Sequence, residues 1–254
     1  MSGKTIIVIV SMLLMALLFA ACSGPQGSEG PEYVTSTACA DCHEDIAAAY
    51  NRSGHAFMLN KVVDGQPPKY PFTEAPEPPD GYTWDDISYV VGGYNWKARF
   101  VDLEGYIITG PPGTRGDATA ATGYSNQYNF ASPVVGIEAG WGNWHLGEKK
   151  AYDCGTCHTT GYNPNGHQDN LPGLVGTWAE TGIACEKCHG PGSQHVANPD
   201  IVSLEIEQDS ESCADCHVRG SIKNLSRECG IHQNKLNCVI CHDPHAGVIG
   251  VSQK

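Results

Sequence analysis

Positive charge is scarce in this chain of 254 residues: 15 Lys and Arg stand against 28 Asp and Glu, a formal net charge of −13 at pH 7. Neutralising phosphates takes Lys and Arg, so the balance argues against nucleic acid as a partner, and any partner that docks by charge should be basic. The same acidity also serves as a solvated surface keeping an exported protein soluble. Methionine is scarcer still. Met1, Met12 and Met15 lie at the extreme N-terminus, which leaves Met58 alone for the rest of the chain.

The N-terminus does not read as part of a fold. Lys4 precedes an apolar run, "IIVIVSMLLMALLFAA", Ile6 to Ala21, that ends in small residues at Cys22. Residues 1–21 are therefore predicted to be a secretory signal. The alternative is a retained anchor, since spanning a bilayer takes about 17 residues or more, but no stop-transfer charges follow. Removing the signal takes away Lys4 and no acid, moving the net charge from −13 to −14. Leu18-Phe19-Ala20-Ala21-Cys22 resembles a bacterial lipobox, with Phe19 where that pattern prefers Leu; it makes Cys22 the lipidation site and predicts a lipid anchor in the outer membrane. Residues 22–37 read as a flexible tether. In each version the remainder lies outside the cytoplasm, at the outer surface, beyond it, or in the periplasm.

Ten of the remaining cysteines form five pairs at one spacing, each followed at once by histidine. They are Cys39, Cys42 and His43; Cys154, Cys157 and His158; Cys185, Cys188 and His189; Cys213, Cys216 and His217; and Cys238, Cys241 and His242. This is the c-type haem attachment pattern. Two thiols reach the two vinyl groups of one macrocycle, and the next residue turns its imidazole under the iron. A thioredoxin-like site uses one pair, structural zinc does not place a histidine after every second cysteine, and a disulfide framework does not predict five identical spacings. Five covalently attached haem c groups are expected, with iron held by the five motif histidines. Cys229 is left over, an inert thiol or an intermolecular bridge.

Each iron has a second axial position, usually filled by His or Met. With Met58 alone in the mature chain, methionine cannot fill them generally. Six histidines lie outside the motifs: His55, His145, His167, His195, His232 and His245. His245 follows His242 by three residues, a reach of at most roughly 10 Å, too short to pass round the haem rim, so it serves a neighbouring haem. His195 lies six residues after His189 across Gly190-Pro191-Gly192, a linker that favours a turn, and it too should cross to a neighbour. His55 follows a helix-forming stretch closed by Gly54. His145 and His232 precede the second and fifth motifs. These five are the predicted distal ligands; His167, in the polar loop "NPNGHQDN", reads as a surface residue.

Five haems leave little need for regular structure, since the macrocycles supply much of the apolar interior. The fold class expected is a multihaem cytochrome c, haem-packed and mostly irregular, with short helices and a small antiparallel β insertion. The predicted segments are a first haem segment (38–60), a Pro-rich connector (61–81) without periodicity, a β-rich insertion (82–140) and a four-haem segment (141–254). The strands are expected in "ISYVVGGYNWKARFVDLEGYIITG", Ile87 to Gly110, rich in aromatic and β-branched residues. Trp141, Trp144 and Trp178 are expected to pack against haems or strands.

The stretches "YVVGGYNWKARFVDLEGYIITG", "YDCGTCHTTGY", "LPGLVGTWAETGIACEKCHGPGSQHV" and "CHDPH" resemble a family of exported multihaem cytochromes. It includes the tetrahaem cytochrome of hydroxylamine-oxidising bacteria and extracellular cytochromes that polymerise into filaments. The resemblance implies haems in close stacked or perpendicular pairs, with His55, His195 and His245 as distal ligands to neighbouring haems, sometimes across subunits. It implies electron transfer at or beyond the cell surface toward an extracellular acceptor, with redox protein partners and self-assembly into a filament. The chain departs from its relatives in haem number, five against mostly four. A monomeric shuttle, lipid-anchored or periplasmic, is the alternative; an oxidoreductase with one open haem is a third.

Overall fold

The computed structural model describes residues 30–133, 136–204, 210–217, 239, 242–245 and 247–248. Cys22, Cys229, His232, Cys238 and Cys241 lie outside the described residues, as do the predicted signal and most of the predicted tether. No helix among the described residues is long and apolar enough to cross a membrane.

The centre of the chain is an antiparallel sheet. Its strands are β1 (Leu59–Lys61), β2 (Ile87–Gly92), β3 (Lys97–Asp102), β4 (Tyr106–Ile107), β5 (Gln127–Asn129), β6 (Gly140–Gly142) and β7 (Lys150–Ala151). The spatial order is β1-β2-β3-β4-β7, with β5 also paired to β3 and β6 to β5. The hairpin β2–β3 falls where the aromatic and β-branched run was expected to make strands. The sheet extends beyond 82–140 at both ends, taking β1 from the first haem segment and β7 from the approach to Cys154.

A register shift between Ile87 and Tyr89 inserts one extra residue, Ser88, opposite β3. Its hydroxyl donates to the carbonyls of Val101 and Asp102, which fixes the bulge. Because side chains alternate along a strand, the extra residue moves Ile87 to the face of Val90. Two cores result. Ile87, Val90, Ala98, Phe100, Ile108 and Val62 fill one; Leu59, Tyr89, Val91, Val101, Ile107, Tyr152, Leu174 and Trp178 fill the other. Cys154 and Trp144 pack against the second core, so that face of the sheet is the wall on which the second motif rests. The sheet thus has a side-chain core of its own, where the sequence led us to expect macrocycles to supply most of the interior.

The expected tryptophan packing divides between the faces. Trp141 stacks on Phe100 at 6.1 Å, while Trp178 meets Tyr89 and Tyr152 edge-on at 6.1 and 6.0 Å. The Pro-rich connector is irregular but folded down: Tyr70 donates to the Gly92 carbonyl at 2.9 Å and joins Phe57 and Tyr94 in an aromatic group.

Helices are short. They are α1 (Thr35–Ala40), α2 (Glu44–Tyr50), α3 (Gly155–His158), α4 (Cys185–His189), α5 (Ser193–Ala197) and α6 (Ser210–His217). Two further ladders close the haem half, β8 (Thr159–Thr160) with β9 (Glu180–Thr181), and β10 (His242–Asp243) with β11 (Gly247–Val248). Helix α1 starts at Thr35, inside the stretch 22–37 read as a tether, for a reason found in the third motif.

Candidate functional site

The third and fourth motifs lie on helices α4 and α6, and the first and second on single turns at the end of α1 and in α3. In the first, the amides of Cys42 and His43 both return to the Cys39 carbonyl, at 3.2 and 2.9 Å. Helical spacing sets residues i, i+3 and i+4 on one face, so both thiols and the imidazole of a motif address one object. None of the eight described motif cysteines forms a disulfide.

Histidines distant in sequence meet in pairs. His43 faces His195 with ring centres 6.3 Å apart and planes 19° from parallel. His189 faces His245 at 6.4 Å and 23°. His217 faces His55 at 6.1 Å and 58°. Each pair joins a motif histidine to one from outside the motifs. The separation is too wide for ring contact, but two imidazole–metal bonds of about 2.0–2.1 Å, with roughly 1.1 Å from nitrogen to each ring centre, span roughly 6.3 Å. Among the described residues no group of three or more His, Cys, Asp or Glu is placed to hold a metal ion. Two opposed histidines without further protein ligands fit a metal whose other positions are filled by a macrocycle.

The second ring nitrogen explains how the rings are aimed. His55 Nδ1 donates to the Pro244 carbonyl at 3.0 Å, His195 Nδ1 to Val202 at 2.5 Å and His158 Nδ1 to Met58 at 2.9 Å. A carbonyl can only accept, so Nδ1 carries the proton and a neutral ring presents a bare Nε2, the ligating form. His245 Nδ1 lies 3.1 Å from the Asp243 carboxylate and serves the same end. Burial pushes the pKa values of His158, His189 and His217 down; neighbouring histidines add to it for the latter two.

His145 lies on the surface in a left-handed backbone conformation (φ 51°), with Nδ1 2.8 Å from Glu148 and its ring against Trp144. His167, read from sequence as a surface residue, is exposed, yet its Nδ1 donates to the Leu174 carbonyl at 2.7 Å in the manner of His55 and His195. The described residues set neither ring opposite His158. The sheet brings Arg99 to the second motif: it lies 4.1 Å over the Trp144 ring, donates to Gln127 at 2.8 Å and acts electrostatically on Cys154 and His158, and Lys150 also acts on Cys154.

The motifs are themselves paired. Cys39 donates to the Thr35 carbonyl at 3.6 Å and Cys185 to the Ser36 hydroxyl at 3.5 Å, and the thiols of Cys39 and Cys185 act on each other, as do those of Cys157 and Cys216. Burial, then the neighbouring thiol, pushes Cys39 up to about 11; burial and Cys157 do the same to Cys216. Lys187 of the third motif donates to the Thr156 carbonyl of the second at 2.8 Å. At the C-terminal end, the segment 242–245 touches several sites: Pro244 aims His55, His245 faces His189, and His242 acts electrostatically on His217.

Glu186, inside the third motif, is a functional residue that sequence reasoning missed. It is 3% exposed and accepts three main-chain amides: Val34 (2.9 and 3.1 Å), Thr35 (2.8 Å) and Gly192 (2.7 Å). Two of these open helix α1, which is why the helix begins at Thr35. Thr35 sits at φ 70°, a left-handed conformation that costs a β-branched residue on the order of 1–3 kcal/mol. The four neighbouring motifs give no warning, because the residues between the cysteines are otherwise unremarkable in type.

Residues 139–190, which contain the second and third motifs, match the family model described as cytochrome c554 and c-prime. That stretch is similar to a segment of a multihaem c-type cytochrome family. Haem c is the cofactor of such a cytochrome and electron transfer its general business. No curated protein matches the chain. Among solved structures, the chain is similar to the outer cell wall cytochrome OcwA, at 25% identity over 73% of this chain and 37% of that one, with a TM-score of 0.48. It is similar to an undecahaem cytochrome from the S-layer of Carboxydothermus ferrireducens, at 20% identity over 78% of this chain and 27% of that one, TM-score 0.48. A third is the octahaem sulfite reductase MccA of Wolinella succinogenes, at 16% identity over 86% and 45%, TM-score 0.46. The chain therefore spans less than half the length of each.

Proposed function

We propose that the cytochrome binds five haem c groups, one at each motif, and passes electrons along them at or outside the cell surface. The observation that carries this reading is the three opposed histidine pairs, His43–His195, His189–His245 and His217–His55, each 6.1 to 6.4 Å between ring centres. Bound there, haem supplies a one-electron iron couple, at lower potential with two histidines than with His and Met. The chain supplies everything else. Its cysteines fix each macrocycle, its carbonyls hold His55 and His195 and the Asp243 carboxylate holds His245 in the ligating tautomer, and its paired helices α1 and α4 hold two attachment points in contact. His145 and His232 are the second ligands for His158 and His242, and with all axial positions filled no iron is open to substrate.

Export rests on the apolar run before Cys22 and on the haem motifs; Cys22 is the lipidation site if the chain stays anchored. The polymeric form, in which the haem chain continues from one copy to the next, rests on the resemblance to filament-forming cytochromes. Intact mass of the purified protein should give five haems, and the ferric electron-spin spectrum should be wholly low-spin. Fewer haems or a high-spin signal overturns the reading. Electron microscopy of extracellular material separates filament from monomeric shuttle, since ordered fibres appear only in the first case.

A further inference from the structure

The buried carboxylate of Glu186 is more elaborately built than an attachment motif needs. The backbone around it is bent to reach it: Thr35 delivers its N–H from a conformation that threonine avoids, and Gly192 comes so close that an added Cβ would stand 3.2 Å from Val34 and 3.3 Å from Glu186. Gly190, at φ 75° and ψ 176°, turns the chain back toward it. All three partners are donors, so both oxygens act as acceptors, as a carboxylate does. The same contacts tie α1, which ends in the first motif, to α4, which is the third. Glu186 acts electrostatically on Cys39, and Glu180, which accepts the amide (2.9 Å) and hydroxyl (3.1 Å) of Ser36, does so as well.

On the haem reading above, we propose that Glu186 is a positioning residue that also acts through its charge, locking the first and third haems together and lowering their potential. Reduction of an iron here adds one electron from a redox partner and breaks no bond, and it removes one positive charge from the centre. A fixed negative charge beside the centre opposes that loss, and in a buried setting the interaction is poorly screened. The three amide dipoles offset part of the charge without removing it.

The test uses the full holoprotein, with redox titrations followed in the visible spectrum for wild type, Glu186→Gln and Glu186→Asp. Glu186→Gln should raise the midpoint of one or two haems and leave the others in place, while Glu186→Asp, which keeps the charge, should stay near wild type. A Glu186→Gln titration that superimposes on wild type overturns the proposal. An equal shift in both variants also overturns it, because packing rather than charge would be the cause. If Glu186→Gln does not mature, Glu186→Asp decides alone: unmoved midpoints with a lower melting temperature support the proposal, and displaced midpoints sink it. The haem reading is judged separately, on the haem mass and ferric spectrum of the wild type, so the two failures are distinguishable.

Discussion

Replacing His195 with alanine tests the pairing of distant histidines directly. His195 lies on the five-residue helix α5, and its ring stands 6.3 Å from that of His43. What the fold loses is the bond from Nδ1 to the Val202 carbonyl, about 1 kcal/mol. Domains of this kind are stable by about 5–15 kcal/mol, so His195→Ala should fold and all five motifs should still mature. The attachment cysteines of the affected site, Cys39 and Cys42, and its ligand His43 are untouched. One iron of five then lacks its second ligand, so integrated low-spin intensity in the ferric electron-spin spectrum should fall by one fifth, with a high-spin signal in its place. Added imidazole should restore it, because the gap left is one imidazole wide. His195→Met should keep the site six-coordinate but raise its potential. An unchanged low-spin spectrum in His195→Ala would refute the assignment, whatever the other histidines do.

Phe100 is fully buried between Trp84 and Trp141; Phe100→Ala should cost about 3–5 kcal/mol in denaturant unfolding, and a loss under about 1 kcal/mol would mean the sheet core is not packed as described. Hydrogen bonds from the Thr83 amide and hydroxyl hold the Asp86 carboxyl below its usual range. A depressed value contributes stability above the unfolded pKa of about 3.9, lost as pH falls through the lower folded value. Asp86→Asn should therefore melt lower than wild type at pH 6, and the gap should close toward pH 3; a gap independent of pH counts against it. His167→Ala should leave the low-spin intensity of the isolated chain unchanged while His145→Ala lowers it by one fifth, and the reverse result would exchange their roles.

Local chemistry was legible wherever spacing carried it. Five repeats of one motif are what the proposed attachment sites rest on, and the short link from His242 to His245 argues against a shared iron by reach alone. The hairpin Ile87–Asp102 was legible from its β-branched and aromatic content. The bulge at Ser88 was not, because it depends on a hydroxyl meeting the carbonyls of the partner strand. Nor was the start of α1. "YVTST" has the composition of a tether, and it is held in place by Glu186 and Glu180, some 150 positions later, which accept its amides. The carbonyls that aim His55 and His195 leave no mark in sequence, since every residue has one. That is also why His167 read as a surface residue: its distinguishing contact is with the main chain of Leu174.

The stretch "ACEKCHGPGSQH" concentrates these points. Its two histidines belong to different pairs: His189 faces His245, and His195 faces His43. A rigid linker alone would not hold those pairs in register, because Gly190 and Gly192 have more conformational freedom than any other residue. What removes that freedom is the Gly192 amide on Glu186, which also holds Val34 and Thr35. Gly192 is therefore useful for the close approach it permits, Gly190 for its left-handed turn, and the carboxylate for the entropy it removes. Exchange of the Gly192 amide should accordingly be slow in the wild type and in Glu186→Gln, whose Oε1 still accepts it, and fast in Glu186→Ala, which separates the anchoring role of this residue from its electrostatic one.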